Sequence, residues 1–289
     1  MRLRELSALL RCNQYIKNIF CLIPCFYGFE LTNSYAVMNT AAIFIVFCVA
    51  SSAVYILNDL FDYNSDRQHR INCSRPIASG RISRPTAVVF ACVLCFLCLT
   101  ISWLIRPPAM VCVSMYLLIN IFYCLVGKKL FLVDLLCIVA GFELRTFAGC
   151  VAIWHDMTVF LFVEVFLLCS MLVLSKRLTE KAFDDGRRIT LKYYTSDFCQ
   201  KSILFLAFAL NVVWLIYTFA GEPVSALTNI GRVLFFISTF YVIRASSRYV
   251  TLSFEARINY HFCSTLYRDK QILINVLSFI LLNFAALYL

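Results

Sequence analysis

Three aspartates and one asparagine stand at helical spacing near the end of an apolar stretch. Asp59, Asp62 and Asp66 lie within nine residues that begin at Asn58. Spacings of three and four residues would place the three carboxylates on one face of a helix, where they would repel one another if unpaired. Mg²⁺ held by a few carboxylates commonly completes its coordination with phosphate oxygens. The pattern predicts a catalytic magnesium–diphosphate site with Asp59, Asp62 and Asp66 as the metal ligands.

Basic residues follow the acidic motif directly. Arg67, Arg70, Arg75, Arg81 and Arg84 come within eighteen positions of Asp66. A guanidinium fork matches the oxygens of a phosphate, so this run favours phosphate recognition, with Arg67 and Arg75 as candidate ligands beside Asn58. The alternative is a solvated acidic turn in an ordinary loop. His69 could bind metal or phosphate, although a single loop histidine more often does neither.

The composition indicates a polytopic membrane protein. The 289 residues are 62% hydrophobic and 15% charged, which lies far outside the range of soluble proteins. The cysteines lie mostly in apolar runs, where we expect them to pack as small apolar residues. We predict an all-α fold with one domain over residues 1–289. Nine apolar runs are long enough to cross a bilayer, at about 14–31, 37–57, 86–105, 108–126, 130–153, 158–174, 200–219, 228–243 and 271–289.

The distribution of Lys and Arg predicts the orientation. With the N-terminus inside, 22 of the 26 basic residues lie in inner segments and only Arg106 and Arg232 lie outside. This bias predicts a cytoplasmic N-terminus and an outer C-terminus in the inner, or cytoplasmic, membrane. The net charge of +10 is then explained by topology and gives no reason to expect nucleic-acid binding.

Ionisable residues also occur within the predicted spans. Lys17 lies just inside the first span, where it either snorkels to the interface or meets an anion. Asp134 and Arg145 share a helix face in the fifth span but lie about three turns apart. They are too far apart to pair, so each needs a partner elsewhere. Structural pairing and substrate binding both remain open for them.

A second polar loop follows the sixth span and is mainly basic. Its cations include Lys176, Arg177 and Arg188, and they outnumber its acids. Lys176 and Glu180 are spaced for an ordinary pair on a helix surface. Because this loop and the acidic motif are predicted on the same side of the membrane, a metal–diphosphate site with a second anion pocket accounts for both.

The acidic motif resembles the signature of the UbiA superfamily of intramembrane prenyltransferases, N-D-x-x-D-x-x-x-D after the second of nine helices. The R-P-I-A-S-G sequence at 75–80 is similar to the continuation of that signature. Further similarities point to the branch typified by decaprenyl-phosphate phosphoribosyltransferase. They are Q-Y-I-K-N at 14–18, Tyr123 with Lys128 and Asp134, G-F-E-L-R at 141–145 with A-G at 148–149, K-R-x-x-E at 176–180, and R-x-x-L-x-x-Y from Arg188 to Tyr194.

The resemblance implies a bundle of nine transmembrane helices around a cytoplasm-facing central cavity. It also implies Mg²⁺-dependent transfer of a phosphoribosyl group from phosphoribosyl diphosphate to a polyprenyl phosphate, to make a lipid-linked pentose donor for the cell envelope. Oligomerisation would be possible. The expected substrate-binding residues are Lys17, Asn58, Arg67, His69, Arg75, Tyr123, Lys128, Asp134, Arg145, Lys176, Arg177, Glu180, Arg188 and Tyr194. Of these, Lys17, Lys128, Lys176, Arg177 and Arg188 are candidates for binding the two monophosphates.

Two other functions fit parts of the pattern. Superfamily members that prenylate aromatic acids resemble one another in a second Asp-rich motif after helix six, where this chain has only Asp184 and Asp185 in a basic loop. An aromatic prenyltransferase that uses a polyprenyl diphosphate is therefore the second hypothesis. An anion transporter is the third, but the sequence shows no inverted repeat of the kind common in transporters.

Overall fold

Helices form every regular element in the part of the chain that the structure describes, so the all-α prediction is confirmed. The computed structural model describes residues 3–68, 72–182, 189–225, 227–255 and 268–289. The α-helices are α1 Leu3–Leu10, α2 Ile23–Tyr27, α3 Ser34–Phe61, α4 Tyr63–Gln68, α5 Arg84–Ile105, α6 Pro107–Leu125, α7 Val133–Ala152, α8 Val159–Ala182, α9 Ser196–Ala220, α10 Asn229–Phe254 and α11 Lys270–Tyr288. Short 3₁₀ helices cover Asn72–Ser74, Gly127–Lys129, Ile189–Lys192 and Glu222–Ser225, and a longer one covers Cys12–Leu22.

Eight helices among the described residues, α3 and α5 to α11, are long and apolar enough to cross a membrane. Large apolar side chains such as Phe96 and Leu104 on α5 are 70% and 76% exposed. Exposure of such side chains on these helices is what a lipid-facing surface requires, because lipid chains are themselves apolar. The chain is a multi-pass membrane protein.

The first of the nine predicted spans takes a different form. Residues 14–31 contain most of the 3₁₀ helix Cys12–Leu22 and all of the short helix α2. They hold no α-helix long enough to count as a span, so the described chain has eight such helices instead of nine. The run of apolar residues does not indicate this difference, because hydropathy does not distinguish a 3₁₀ helix from an α-helix. Gln14 and Asn18, two polar residues of this segment, are buried.

Side-chain caps explain several helix starts. Asn33 accepts hydrogen bonds from the backbone N–H groups of Tyr35 and Ala36 at the start of α3. Thr195 caps α9 and Thr228 caps α10 in the same manner. At α5, Ser83 accepts from the N–H of Thr86, and a proline follows in the first turn. These caps satisfy N–H groups that a helix leaves without an internal partner.

The chain divides into two compact units. The first contains Met1–Phe26, Glu30–Lys128 and Ala140–Asp156, and the second contains Tyr27–Phe29, Lys129–Val139 and Met157–Leu289. Helix α7 therefore belongs to the second unit up to Val139 and to the first from Ala140. The single domain over 1–289 and the central cavity stay predictions.

The core of the first unit joins α3, α5, α6 and the later part of α7. Phe47 on α3 and Tyr116 on α6 meet edge to face at the centre, surrounded by small residues such as Ala50, Cys112 and Ala148. Small residues at such contacts let transmembrane helices approach closely. A Cβ atom at Gly149 would clash with the backbone carbonyl of Cys21, so the 3₁₀ helix packs directly on α7 at this glycine.

Aromatic rings fill part of the core of the second unit. Trp214 and Tyr217 on α9 contact each other and Phe235 on α10, and Trp214 also meets Phe279 on α11. Asn211 on α9 and Ser246 on α10 exchange hydrogen bonds within the apolar helices. A polar pair of this kind satisfies both side chains where water is absent.

Candidate functional site

The acidic motif lies at a break between two helices of the first unit. Helix α3 ends at Phe61, Asp62 has φ −88° and ψ 5°, and α4 begins at Tyr63. The three acids therefore do not stand on one face of a single helix, as the spacing had predicted. Asp62 adopts a sparsely populated conformation in which functional residues are often found. Asp59 precedes the break and Asp66 follows it, and both carboxylates are buried.

One arginine joins the two buried acids. Nη1 of Arg75 lies 3.1 Å from Oδ1 of Asp59 and 2.6 Å from Oδ2 of Asp66. Asp66 also accepts a hydrogen bond from Asn72 at 2.8 Å. The loop that carries Arg75 thus folds back over the break between α3 and α4. Two carboxylates that are seven residues apart in sequence converge on one positively charged group.

Two further cations complete the cluster. Arg11, at the end of α1, forms an ion pair with Asp59, and its guanidinium lies 5.0 Å from the centre of the Tyr55 ring. Lys128, in the 3₁₀ turn after α6, forms an ion pair with Asp62. Three acids and three bases therefore balance within this cluster. We call Asp59, Asp62, Asp66, Arg11, Arg75 and Lys128 the acid–base cluster.

The acid–base cluster fits a magnesium site in part. Among the described residues, no group of three His, Cys, Asp or Glu side chains is placed to hold one metal ion. Asp59 and Asp66 nevertheless converge on the same nitrogen of Arg75, which shows that one small cation can contact both carboxylates. Mg²⁺ is commonly bound by one or two carboxylates together with waters and substrate phosphates. The donor set therefore suits Mg²⁺ bound together with a phosphate-containing ligand.

The other substrate-binding residues predicted near the acidic motif differ in their contacts and exposure. Asn58 accepts a hydrogen bond from the Cys124 thiol at 3.4 Å. Arg67 is exposed and lies over the ring of Tyr63, 5.6 Å from its centre. Tyr123 is half-buried in the last turn of α6. His69 lies outside the described residues.

Arg145 forms a buried polar network in the first unit. Its Nε donates to Asn18 at 2.7 Å, its Nη1 to the carbonyl of Gly141 at 2.5 Å, and its Nη2 to Tyr116 at 2.8 Å. The guanidinium also lies 4.5 Å from the centre of the Tyr116 ring. The network connects the 3₁₀ helix, α6 and α7, so Arg145 holds Asn18 in place beside Lys17. Lys17 itself is half-buried and has no ion-pair partner among the described residues.

Asp134 forms a separate buried network in the second unit. Nε of Arg177 lies 3.0 Å from Oδ2 of Asp134, and both side chains are 0% exposed. Tyr194 donates to Oδ1 of Asp134 at 2.5 Å, and Arg177 also donates to Glu180 at 2.7 Å. Burial and the hydrogen bond to Asp134 raise the pKa of Tyr194, so its hydroxyl stays protonated and acts as the donor. These contacts tie the first turn of α7 to α8 and to the segment before α9.

This network changes the role expected of the second loop. Arg177 was predicted to bind a monophosphate, but its guanidinium is buried and committed to two carboxylates, so it lacks the access that such a role requires. Lys176 is 43% exposed and 3.7 Å from Glu180, and it remains accessible to an anion. Glu180 contacts both Lys176 and Arg177. Arg188, Asp184 and Asp185 lie outside the described residues.

Arg11 and Asn18 were not predicted as site residues. Arg11 appears in sequence as one of several charges on an N-terminal amphipathic helix, and no spacing relates it to Asp59, 48 positions away. Asn18 was present in the quoted Q-Y-I-K-N segment, but its contact with Arg145 spans 127 positions. Only the tertiary structure reveals either pairing.

The family model described as the UbiA prenyltransferase family matches residues 21–251. The match includes the acidic motif, both polar loops and most of the predicted spans. This chain belongs to the UbiA prenyltransferase family. The described helices also superpose on a UbiA homolog from Archaeoglobus fulgidus, solved bound to GPP and Mg²⁺, with a TM-score of 0.76 over 99% of this chain and 100% of that one. At 17% sequence identity, that likeness concerns the fold.

Several curated relatives carry the name decaprenyl-phosphate phosphoribosyltransferase. The decaprenyl-phosphate phosphoribosyltransferase of Mycolicibacterium smegmatis is 26% identical over 230 residues, which cover 76% of this chain and 72% of the relative. The protein of the same name from Corynebacterium glutamicum is 34% identical over 147 residues, or 50% of this UbiA-family chain and 44% of the relative. The family assignment predicted from the acidic motif and the branch markers is thus confirmed.

Proposed function

We propose that this chain transfers a 5-phosphoribosyl group from phosphoribosyl diphosphate to a polyprenyl phosphate. The convergence of Asp59 and Asp66 on one cation is the structural observation that supports it, because it provides a place for a metal-bound diphosphate. The name of the relatives from Mycolicibacterium smegmatis and Corynebacterium glutamicum supports the choice of phosphoribosyl diphosphate as the donor and a polyprenyl phosphate as the acceptor.

The reaction requires little acid–base catalysis from the protein. An oxygen of the polyprenyl phosphate attacks the anomeric carbon of the ribose, and the bond from that carbon to the diphosphate breaks. The electron pair of that bond leaves with the diphosphate. Because the attacking phosphate is already an anion, no general base has to remove a proton. Mg²⁺, when bound, would neutralise charge that develops on the departing diphosphate.

Residues of the acid–base cluster would orient the donor. Asp59 and Asp66 would hold the metal, and Asp62 would contribute from the helix break. Arg75 and Lys128 are within reach of these carboxylates and can donate to diphosphate oxygens. Lys17 lies half-buried next to Asn18 and offers a cation for a monophosphate.

The membrane placement follows from the charges. We infer a multi-pass protein of the cytoplasmic membrane with its N-terminus and the acid–base cluster on the inner side. The water-soluble donor would reach the cluster from the cytoplasm, and the polyprenyl phosphate would come from the lipid. The product would be a lipid-linked pentose donor for cell-envelope polysaccharide.

A transfer assay tests the proposal. Purified protein receives Mg²⁺, a polyprenyl phosphate and phosphoribosyl diphosphate labelled in the ribose, and the label in the lipid fraction is measured. We expect Asp59→Asn and Asp66→Asn to lower the rate roughly 100-fold or more, since each removes a charged metal ligand. Exposed Asp197, at the start of α9, provides the matched control, and Asp197→Asn should leave the rate unchanged.

A further inference from the structure

One carboxylate oxygen of each acid in the motif contacts a cation supplied by the chain. Arg11 and Arg75 contact the same oxygen of Asp59, Oδ1, and Arg75 also contacts Asp66. Lys128 contacts Oδ1 of Asp62. Since Asp59, Asp62 and Asp66 are the predicted metal ligands, a metal ion that binds these same oxygens has to displace the bases that contact them. The three bases are therefore competitors of the metal for its own ligands.

Charge balance determines which species can enter. The cluster has three acids and three bases, so its formal charge is zero with all six ionised. A divalent metal ion alone would raise the formal charge of the cluster from zero to +2. A metal ion that arrives with a diphosphate brings at least two negative charges with it. Like charges in a partly buried site destabilise one another, so the paired species is favoured over the bare ion.

Arg11 is the base whose position depends most on backbone geometry. It has φ 51° and ψ 48°, in the left-handed region that side-chain-bearing residues seldom adopt. It stands at the junction of α1 and the 3₁₀ helix Cys12–Leu22, and its guanidinium packs on the ring of Tyr55. Strained conformations persist where the surrounding contacts hold them in place. The chain thus keeps a guanidinium at Asp59 against a local backbone cost.

Release of Arg11 from Asp59 would leave its donors next to the metal-bound ligand. Its side chain is 24% exposed, whereas Asp59 is 2% exposed, so the guanidinium can move outward and the carboxylate cannot. A guanidinium that no longer contacts a carboxylate can donate the same hydrogen bonds to phosphate oxygens.

We propose that Arg11 is a counterion of Asp59 that exchanges with the metal and then binds the diphosphate, so that metal and diphosphate bind as a pair. This inference depends on the proposed function only for a diphosphate as the ligand and not for the group that is transferred. Arg11 is thereby assigned as a diphosphate-binding residue, which sequence patterns did not indicate.

Metal binding can be measured without turnover. Mn²⁺ replaces Mg²⁺ as the probe, and protein-bound Mn²⁺ is measured by equilibrium dialysis with and without inorganic diphosphate. The Mn²⁺ in the protein-free compartment, which includes its complex with diphosphate, is subtracted. Wild-type protein should bind Mn²⁺ about 10-fold or more tightly when diphosphate is present, a coupling of ordinary size for two linked ligands. Arg11→Ala should bind Mn²⁺ alone more tightly than wild type and should lose most of the enhancement by diphosphate.

Two variants act as controls. Arg81 lies in the same loop as Arg75 and is exposed, and it donates to Ser79 and to the carbonyl of Ser74 instead of to a carboxylate. Arg81→Ala should therefore behave as wild type. Asp59→Asn should lose Mn²⁺ binding in both conditions, which assigns the signal to this cluster. Arg11→Gln removes the charge but keeps hydrogen-bonding capacity, and it carries the same expectation if Arg11→Ala does not fold.

The outcomes are separable. Unchanged Mn²⁺ affinity in Arg11→Ala and Arg11→Gln, or an unchanged enhancement by diphosphate, would overturn the role of Arg11. The assay contains no ribose, lipid or aromatic acid, so its result is independent of which group the enzyme transfers. Failure of phosphoribosyl transfer with intact coupling would reject the proposed function and leave the role of Arg11 standing.

Discussion

Arg177 and Asp134 form an ion pair that is closed to solvent. The guanidinium Nε lies 3.0 Å from the carboxylate Oδ2, and neither side chain has any exposed surface. Removal of one partner from a buried pair leaves the other charged group without compensation, which is far more costly than loss of an exposed pair. Each partner therefore depends on the other for charge compensation, and the Arg177 side chain has no exposed surface for a substrate.

Loss of Arg177 should reduce stability more than it affects substrate affinity. Arg177→Met should destabilise the protein by about 3 kcal/mol or more, since Asp134 keeps its burial and loses its cation. The thermal midpoint of detergent-purified protein, followed by tryptophan fluorescence, measures the change. Lys201→Met provides the control, because the pair of Lys201 with Asp197 is exposed and should contribute nothing measurable. Equal midpoints for Arg177→Met and wild type would contradict the structural role.

Lys176 should show the opposite behaviour. It neighbours Arg177 in sequence, but its side chain is 43% exposed and its contact with Glu180 is long, at 3.7 Å. If it binds a phosphate, Lys176→Ala should raise KM for phosphoribosyl diphosphate or for the polyprenyl phosphate about 10-fold, with little change in the thermal midpoint. Lys201→Ala, also exposed and paired at i, i+4, is the matched control. A lower kcat with both KM values unchanged would exclude Lys176 from phosphate binding.

Gly149 should be sensitive to a single added methyl group. A Cβ atom there would clash with the carbonyl of Cys21, and backbone of the 3₁₀ helix cannot move aside easily. Gly149→Ala should therefore lower the thermal midpoint. At Gly141 an added Cβ atom would lie 3.4 Å from Nη1 of Arg145, which is the end of a longer side chain. Gly141→Ala should be the milder change, and the reverse order would show that the packing of Cys21 on α7 is wrong.

The sequence predicts the fold class and the family, which are confirmed, and the magnesium site at the acidic motif stays a prediction. It also predicts that Asp134 and Arg145 each need a partner elsewhere. In the structure Asp134 contacts Arg177 and Tyr194. Arg145 contacts Asn18 and Tyr116. The partners themselves were not predictable, since these contacts join residues that are 29 to 127 positions apart or that no helical period relates.

One prediction was wrong and two features were not predicted, each for an identifiable reason. The acids were placed on one helix, but the backbone breaks at Asp62, and no glycine or proline stands there to signal a break. The 3₁₀ form of Cys12–Leu22 was not predicted, because hydropathy does not distinguish a 3₁₀ helix from an α-helix. Arg11 was overlooked because its partner is buried 48 positions away, and charge on an amphipathic helix gives no hint of a specific partner.

The orientation in the membrane can be tested directly. A reporter fused after Leu289 should report the outer side, and a reporter inserted next to Gly186 should report the cytoplasm, given the excess of Lys and Arg in the predicted inner segments. An insertion after Tyr63, close to the acid–base cluster, should also report the cytoplasm. Opposite sides for Tyr63 and Gly186 would separate the two polar loops and exclude a shared site.

We propose that the acid–base cluster activates a phosphoribosyl diphosphate. The most direct test of this activity is the Mg²⁺-dependent transfer of ribose label to a polyprenyl phosphate, measured for wild-type protein and for Asp59→Asn. A parallel reaction offers the same proteins a prenyl diphosphate and an aromatic acid. We expect label in the lipid fraction with wild type alone, and no prenylated aromatic product. A prenylated aromatic acid that depends on Asp59, with no label transferred from phosphoribosyl diphosphate, would contradict it.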